Sequence, residues 1–104
     1  MEYDTFTRHK LPVIGVIGND ACWTQIAREQ IPMFNSNVAV DLSRTRYDDV
    51  AVALGGWGTI VSAENVQNTE ELLDEALRQS QQGRSALLNV LIGKTDFREG
   101  SISV

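Results

Sequence analysis

Two runs constrain this chain more than any other feature: residues 13–17, Val-Ile-Gly-Val-Ile, and residues 86–92, Ala-Leu-Leu-Asn-Val-Leu-Ile. The first is apolar on both faces that a strand presents and β-branched apart from its glycine, and the second is a clear buried strand. Strands of that kind belong inside a parallel sheet that helices cover. The first run ends in a corner of small and polar residues, Gly18-Asn19-Asp20-Ala21, and then turns into a helical stretch. Open α/β sheets place their ligands at such carboxyl ends of strands.

The remaining segments fit this architecture. Residues 2–10 read as the end of a helix, with Tyr3, Phe6 and Thr7 on one face. Arg8, His9 and Lys10 lie in its last turn, where positive charge suits the dipole, and Pro12 prevents continuation. A helix that begins at residue 2 and is ending by residue 10 reads as the tail of something longer. Residues 22–30 read as a second helix, with Trp23, Ile26 and Ala27 on one side, Arg28 and Glu29 on the other, and Pro32 as its stop. Residues 38–42 read as a short strand or extended chain after the turn Asn35-Ser36-Asn37. Residues 48–54 read as a helix with Val50, Ala53 and Leu54 inward, closed by Gly55-Gly56. A short strand is expected over 58–62. Asn68 followed by Glu71 forms a capping-box pattern for a helix reaching Gln82, with Leu72, Leu73, Ala76 and Leu77 as its apolar stripe and Gly83 as its stop. Residues 93–104 show no period. The expected fold is therefore α/β, a parallel sheet flanked by helices, with two strong and two weak strands and the further expectation of strands upstream.

Composition narrows the functional classes. A chain of 104 residues with 42% apolar and 22% charged residues reads as one ordinary globular unit. A net charge of −5 argues against bulk electrostatic binding to nucleic acid or to acidic membranes. One cysteine excludes an internal disulfide and a thiol zinc cluster, and one histidine excludes a multi-histidine metal site. No apolar run is long enough to span a membrane, and the opening MEYDTFTRHK is unlike a signal peptide.

The corner carries the chemistry. The Asn19 amide oxygen, the Asp20 carboxylate and the Ala21 carbonyl are hard oxygen donors of the kind Mg²⁺ takes in small number beside phosphate and water. The competing reading is that Asn19 and Asp20 only cap the following helix. Trp23 lines a substrate pocket or packs in the core. Cys22 sits near a ligand or is an inert small side chain. Gln25 donates to substrate or lies on the surface. His9 reads as a solvated helix-end charge, and Gly55-Gly56-Trp57-Gly58 as a helix stop and turn. Lys94 and Arg98, in a tail without a period of its own, are candidates for contacts to substrate phosphates.

The run VIGVIGNDACWTQIAREQIP, preceded by EYDTFTRHKLP and followed downstream by LLNVLIGKTDFREGSISV, resembles the carboxyl end of acetolactate-synthase-like proteins. These form the 2-hydroxyacyl-CoA-lyase branch of the thiamine-diphosphate enzymes, and the resemblance covers nearly the whole chain. It implies the carboxyl-terminal part of a thiamine-diphosphate-binding fold over residues 1–104. The implied cofactors are thiamine diphosphate and Mg²⁺. It also implies that Asn19 and the carbonyl of Ala21 are metal ligands and that Asp20 and Cys22 lie against the cofactor. Trp23 and Gln25 are then substrate-side candidates in the first turn of the next helix. The family's Gly-Asp-Gly segment and its activating glutamate are not among these residues. The parent reaction implied is cleavage or formation of a carbon–carbon bond next to a carbonyl in a small 2-hydroxyacyl or 2-keto substrate. Its setting would be a homo-oligomer of parent-type subunits that, in full-length form, is expected at the endoplasmic reticulum membrane. The alternative is a non-catalytic fragment or short isoform that keeps only packing surfaces.

Overall fold

The computed structural model describes residues 1–94. The expectations for Arg98 and for most of the 93–104 tail lie outside them. The elements in chain order are α1 Glu2–His9, β1 Ile14–Asn19, α2 Thr24–Phe34, α3 Tyr47–Ala53, β2 Trp57–Val61, a 3-10 turn Val66–Asn68, α4 Thr69–Gln81 and β3 Ala86–Leu91. The described backbone divides into two compact units, Met1–Gly18 with Arg46–Leu91, and Asn19–Thr45 with residues 92–94.

The first unit carries the sheet, whose strand order is β1-β3-β2. β2 and β3 pair in parallel from Trp57 opposite Ala86 to Val61 opposite Val90. On the other side of β3, the Ala86 N–H bonds the Val13 carbonyl at 2.9 Å. β3 is thus the central strand, and Leu88 and Asn89 on it are 1% and 0% exposed. Val61, Ala76, Ala86 and Leu88 form the core, with Ile14, Trp57, Leu72 and Val90 packed against it. Burial of both faces holds for β3 but not for β1. β1 is the outer strand of the described sheet, and its Val16 is 62% exposed. The glycine that interrupts its apolar run has a steric reason: a Cβ at Gly15 would collide with the Tyr3 hydroxyl. That hydroxyl donates to the Ala86 carbonyl at 2.8 Å, and Tyr3 meets Phe6 edge to face.

α3 faces inward through different residues from those its apolar pattern indicates. Asp48 and Ala51 are buried at 2%, whereas Val50 is 44% exposed. The cause is polar pairing. Asp48 Oδ1 accepts from Asn89 Nδ2 at 3.1 Å, and Arg46 donates to both carboxylate oxygens at 3.2 and 2.7 Å. The Asp48 backbone also lies over Gly58, where any Cβ would meet the Asp48 carbonyl. The capping box at Asn68 does not form, and no side chain caps α4 there. The preceding 3-10 turn runs straight into the helix, which leaves Asn68 at φ −98°, ψ 11° instead of the extended conformation an N-cap needs. Asn65 stabilises the entry instead, accepting from Ser62 N at 2.8 Å and donating to Ile60 O at 2.9 Å. Of the expected α4 stripe, Ala76 is fully buried and Leu72 packs on the core, while Leu73 and Leu77 are exposed.

In the second unit α2 continues through Pro32, which was expected to stop it. Pro32 has no N–H to donate, and the helix runs on for two further residues to Phe34. Asn35 N still bonds Ile31 O at 2.8 Å and ends the helix in a left-handed conformation at φ 48°. No strand forms over 38–42. Those residues make a turn and a single antiparallel bridge between Asp41 and Cys22, with Val40 buried at 3%. Ala27 is the buried residue of α2, and Trp23 and Ile26 beside it are exposed.

The Asp48 cluster sets three expectations, all read by urea denaturation. Asp48→Ala leaves Asn89 and Arg46 without their carboxylate and lowers stability by about 2–4 kcal/mol. The Arg46 hydrogen bond holds the Asp48 carboxyl below its ordinary value. Its contribution is therefore complete above the unfolded aspartate value of about 3.9 and is lost as pH falls through the lower folded value. Asp48→Asn flattens that acid limb. Gly58→Ala costs about 3 kcal/mol through its clash with the Asp48 backbone.

Candidate functional site

β1 ends at Asn19, which is 6% exposed. Its carbonyl accepts from Ile92 N at 3.0 Å and from Arg44 Nη1 at 2.6 Å. Its side chain is set from two sides: Nδ2 donates to the Thr45 carbonyl at 3.3 Å and Oδ1 accepts from Ala21 N at 3.1 Å. These bonds fix which end of the amide is oxygen. Ala21 sits at φ 55°, in the left-handed region that only a small or locally bonded residue enters at low cost. Its carbonyl accepts from Leu42 N at 2.7 Å.

Asp20 closes a second, overlapping turn. Its Oδ1 accepts from Cys22 N at 3.2 Å and its Oδ2 accepts from the Thr24 hydroxyl. Neither Asn19 nor Asp20 caps α2, because the helix begins at Thr24 with Trp23 in the cap position and no side-chain cap bond. The two polar residues instead build successive side-chain-to-backbone turns. The corner so formed presents a side-chain amide oxygen and a main-chain carbonyl from one turn. Each carries two lone pairs, and each receives one of the N–H bonds just described. Among the described residues no group of three or more His, Cys, Asp or Glu side chains is placed to hold a metal.

Cys22 is half-buried, with its Sγ 3.9 Å from Asp41 Oδ1. Asp41 also receives Lys94 Nζ at 2.7 Å and the Asn37 amide. The bond from Lys94 keeps the Asp41 carboxyl below its ordinary value, and Asp41 in turn raises the Lys94 ammonium. Lys94 is therefore committed to a carboxylate in this structure. Trp23 is 58% exposed and is not core. Together with Cys22, Thr24, Gln25 and Ile26 it lines an open cleft of about 410 Å³. A second cleft of about 400 Å³ runs along the same helix past Gln25, Glu29, Met33 and Phe34.

The corner thus brings Asn19, Asp20, Ala21 and Cys22 into one set of turns and leaves Trp23 and Gln25 on an adjoining open surface. Sequence reasoning missed Arg44 and Thr45, the residues that hold Asn19 from outside. They lie in a loop without hydrophobic period, and nothing in their sequence context marks them.

Comparison with known proteins identifies the fold family. Residues 1–90 match the family described as "Thiamine pyrophosphate enzyme, C-terminal TPP binding domain". The chain belongs to this family. It is 70% identical over 105 residues to 2-hydroxyacyl-CoA lyase 2 of Caenorhabditis elegans, and 49% identical over 104 residues to that of Homo sapiens. It is 37% identical over 92 residues to a probable acetolactate synthase of Mycobacterium bovis, a match covering 88% of the chain. The two lyase matches cover 100% of the chain, and each of the three matches covers 16% of the relative. The chain therefore spans about a sixth of the length of these relatives. Its parallel sheet with flanking helices is the arrangement that the family resemblance implied. No helix among the described residues is long and apolar enough to cross a membrane.

The left-handed turn at Ala21 gives a direct check on the corner. Ala21→Gly keeps stability within about 1 kcal/mol, because glycine accepts positive φ freely. Ala21→Val loses about 2 kcal/mol, because a β-branched residue resists it. Thermal melts of the two variants separate these outcomes.

Proposed function

We propose that this corner is the chain's share of a Mg²⁺–diphosphate site in a thiamine-diphosphate enzyme. The parent enzyme cleaves or forms carbon–carbon bonds next to a carbonyl, in the manner of a 2-hydroxyacyl-CoA lyase. One observation carries the reading. The amide of Asn19 and the left-handed turn at Ala21 put two hard oxygens on a single turn at the carboxyl end of β1. Mg²⁺ suits such a donor set, because it keeps several waters and phosphate oxygens and asks little of the protein. When bound, thiamine diphosphate supplies the stabilisation of negative charge on carbon that the reaction needs.

The chain's own residues hold and orient. Thr45 and the Ala21 N–H keep the Asn19 oxygen in place. Asp20 does not reach for the ligand; it ties Cys22 and Thr24 into the turn that starts α2. Trp23 and Gln25 border the adjoining cleft and are the substrate-side candidates for a 2-hydroxyacyl or 2-keto compound. A homo-oligomer of parent-type subunits is the setting we propose for the complete site. The second reading is a non-catalytic packing module, since these residues do not include the Gly-Asp-Gly aspartate that the family resemblance pairs with the asparagine.

The test transplants this chain into C. elegans 2-hydroxyacyl-CoA lyase 2, replacing the matching 105 residues, which are 70% identical. Calorimetry then reads Mg²⁺-dependent thiamine diphosphate binding. Asn19→Ala is expected to weaken it at least about tenfold, or ~1.4 kcal/mol. Unchanged affinity removes Asn19 from the metal site. Tight cofactor binding by the 104-residue chain alone would reject the packing-module reading.

A further inference from the structure

Arg44 makes an unusual pair of contacts for a loop arginine. Nη1 donates to the Asn19 carbonyl at 2.6 Å and Nη2 donates to the Ile92 carbonyl at 2.8 Å. The two carbonyls belong to neighbouring chain segments that also bond directly, Ile92 N to Asn19 O at 3.0 Å. One planar guanidinium therefore bridges the last residue of β1 and the residue that follows β3. The next residue, Thr45, accepts the Asn19 side-chain amide at 3.3 Å. Two consecutive loop residues thus hold Asn19 at both its backbone and its side chain.

We infer that Arg44 is a positioning residue for the metal-binding corner, acting through Asn19. The inference rests on the reading of Asn19 as a metal ligand. A ligand oxygen on an amide has two ways to drift: the backbone that carries it can shift, or the side chain can rotate. Thr45 opposes rotation, and Arg44 opposes the shift by tying the Asn19 carbonyl to a second strand end. Lysine cannot replace it in full. An ammonium is a compact point charge, whereas the guanidinium offers several N–H groups in a fixed plane that reach two acceptors together. Groups that orient a metal ligand from outside the coordination shell change metal affinity by about 10–100-fold when removed.

The experiment uses the same transplanted lyase and follows equilibrium Mg²⁺ binding in the presence of thiamine diphosphate by calorimetry. Circular dichroism monitors the fold. Arg44→Ala is expected to raise the Mg²⁺ half-saturation concentration at least about tenfold while the far-ultraviolet spectrum stays unchanged, with cofactor binding restored at saturating Mg²⁺. Arg44→Lys, which keeps the charge and one possible contact, is expected to fall between wild type and Arg44→Ala. It also serves as the test variant if Arg44→Ala does not fold. A half-saturation within twofold of wild type in the folded variants overturns the inference, as does a defect that saturating Mg²⁺ leaves in place. Asn19→Ala run alongside separates the two levels. If Asn19→Ala leaves Mg²⁺ binding intact, the metal-site reading fails and the inference with it. If Asn19→Ala weakens binding but the Arg44 variants do not, only the role of Arg44 fails.

Discussion

Every backbone N–H and C=O along β3 must find its partner inside the protein, because the strand is buried along most of its length. β2 meets it residue for residue on one side, and β1 on the other. The crossover through α4 returns the chain so that β2 and β3 run parallel, with their carboxyl ends on the same side of the sheet. The hydrophobic core follows from the pairing, since Leu88 lies on the strand that has neighbours on both edges. In the second unit the Arg44 guanidinium takes the carbonyls of Asn19 and Ile92.

Buried polarity organises both units. In the first, Asp48, Arg46 and Asn89 form one bonded group, with the aspartate and the asparagine almost wholly removed from water. A buried carboxylate is tolerable only when paired and hydrogen-bonded. The pairing turns α3 so that an aspartate, and not Val50, faces inward. In the second unit the same rule works on a smaller scale. Asn19 is buried, and its side-chain bonds create the turn that positions the Ala21 carbonyl. The orientation of this polar side chain is set by the fold itself, and under the proposed reading that spares the corner an ordering cost on binding.

The elements were legible where the hydrophobic period was strong. The run at 86–92 and the helix ending at Gly83 are where periodicity and turn chemistry put them, and Gly83 adopts φ 81°. The errors came from signals that depend on neighbours. The capping box at Asn68 required a backbone conformation that the 3-10 turn before it took away. Pro32 looked like a stop because its ring opposes helix, yet α2 ends only two residues beyond it, at Phe34. Residues 38–42 have strand-like composition but pair only at Asp41, since a strand exists only where a partner edge is offered.

The sequence by itself determined the alternation of helices and strands, the polar corner after β1 and, through the wording of that corner and the downstream run, the thiamine-diphosphate family. These are local properties, written in residues near one another in the chain. Only the tertiary structure decided that, among the described strands, β3 is central and β1 is outer, that Trp23 is exposed, and that Arg44 and Thr45 hold Asn19. Those outcomes depend on pairings across 25 residues or more, as between Arg44 and Asn19, and no periodicity encodes which distant backbone group a loop side chain will meet. The corner that the sequence marked as a ligand site therefore owes its geometry to residues that the sequence left unmarked.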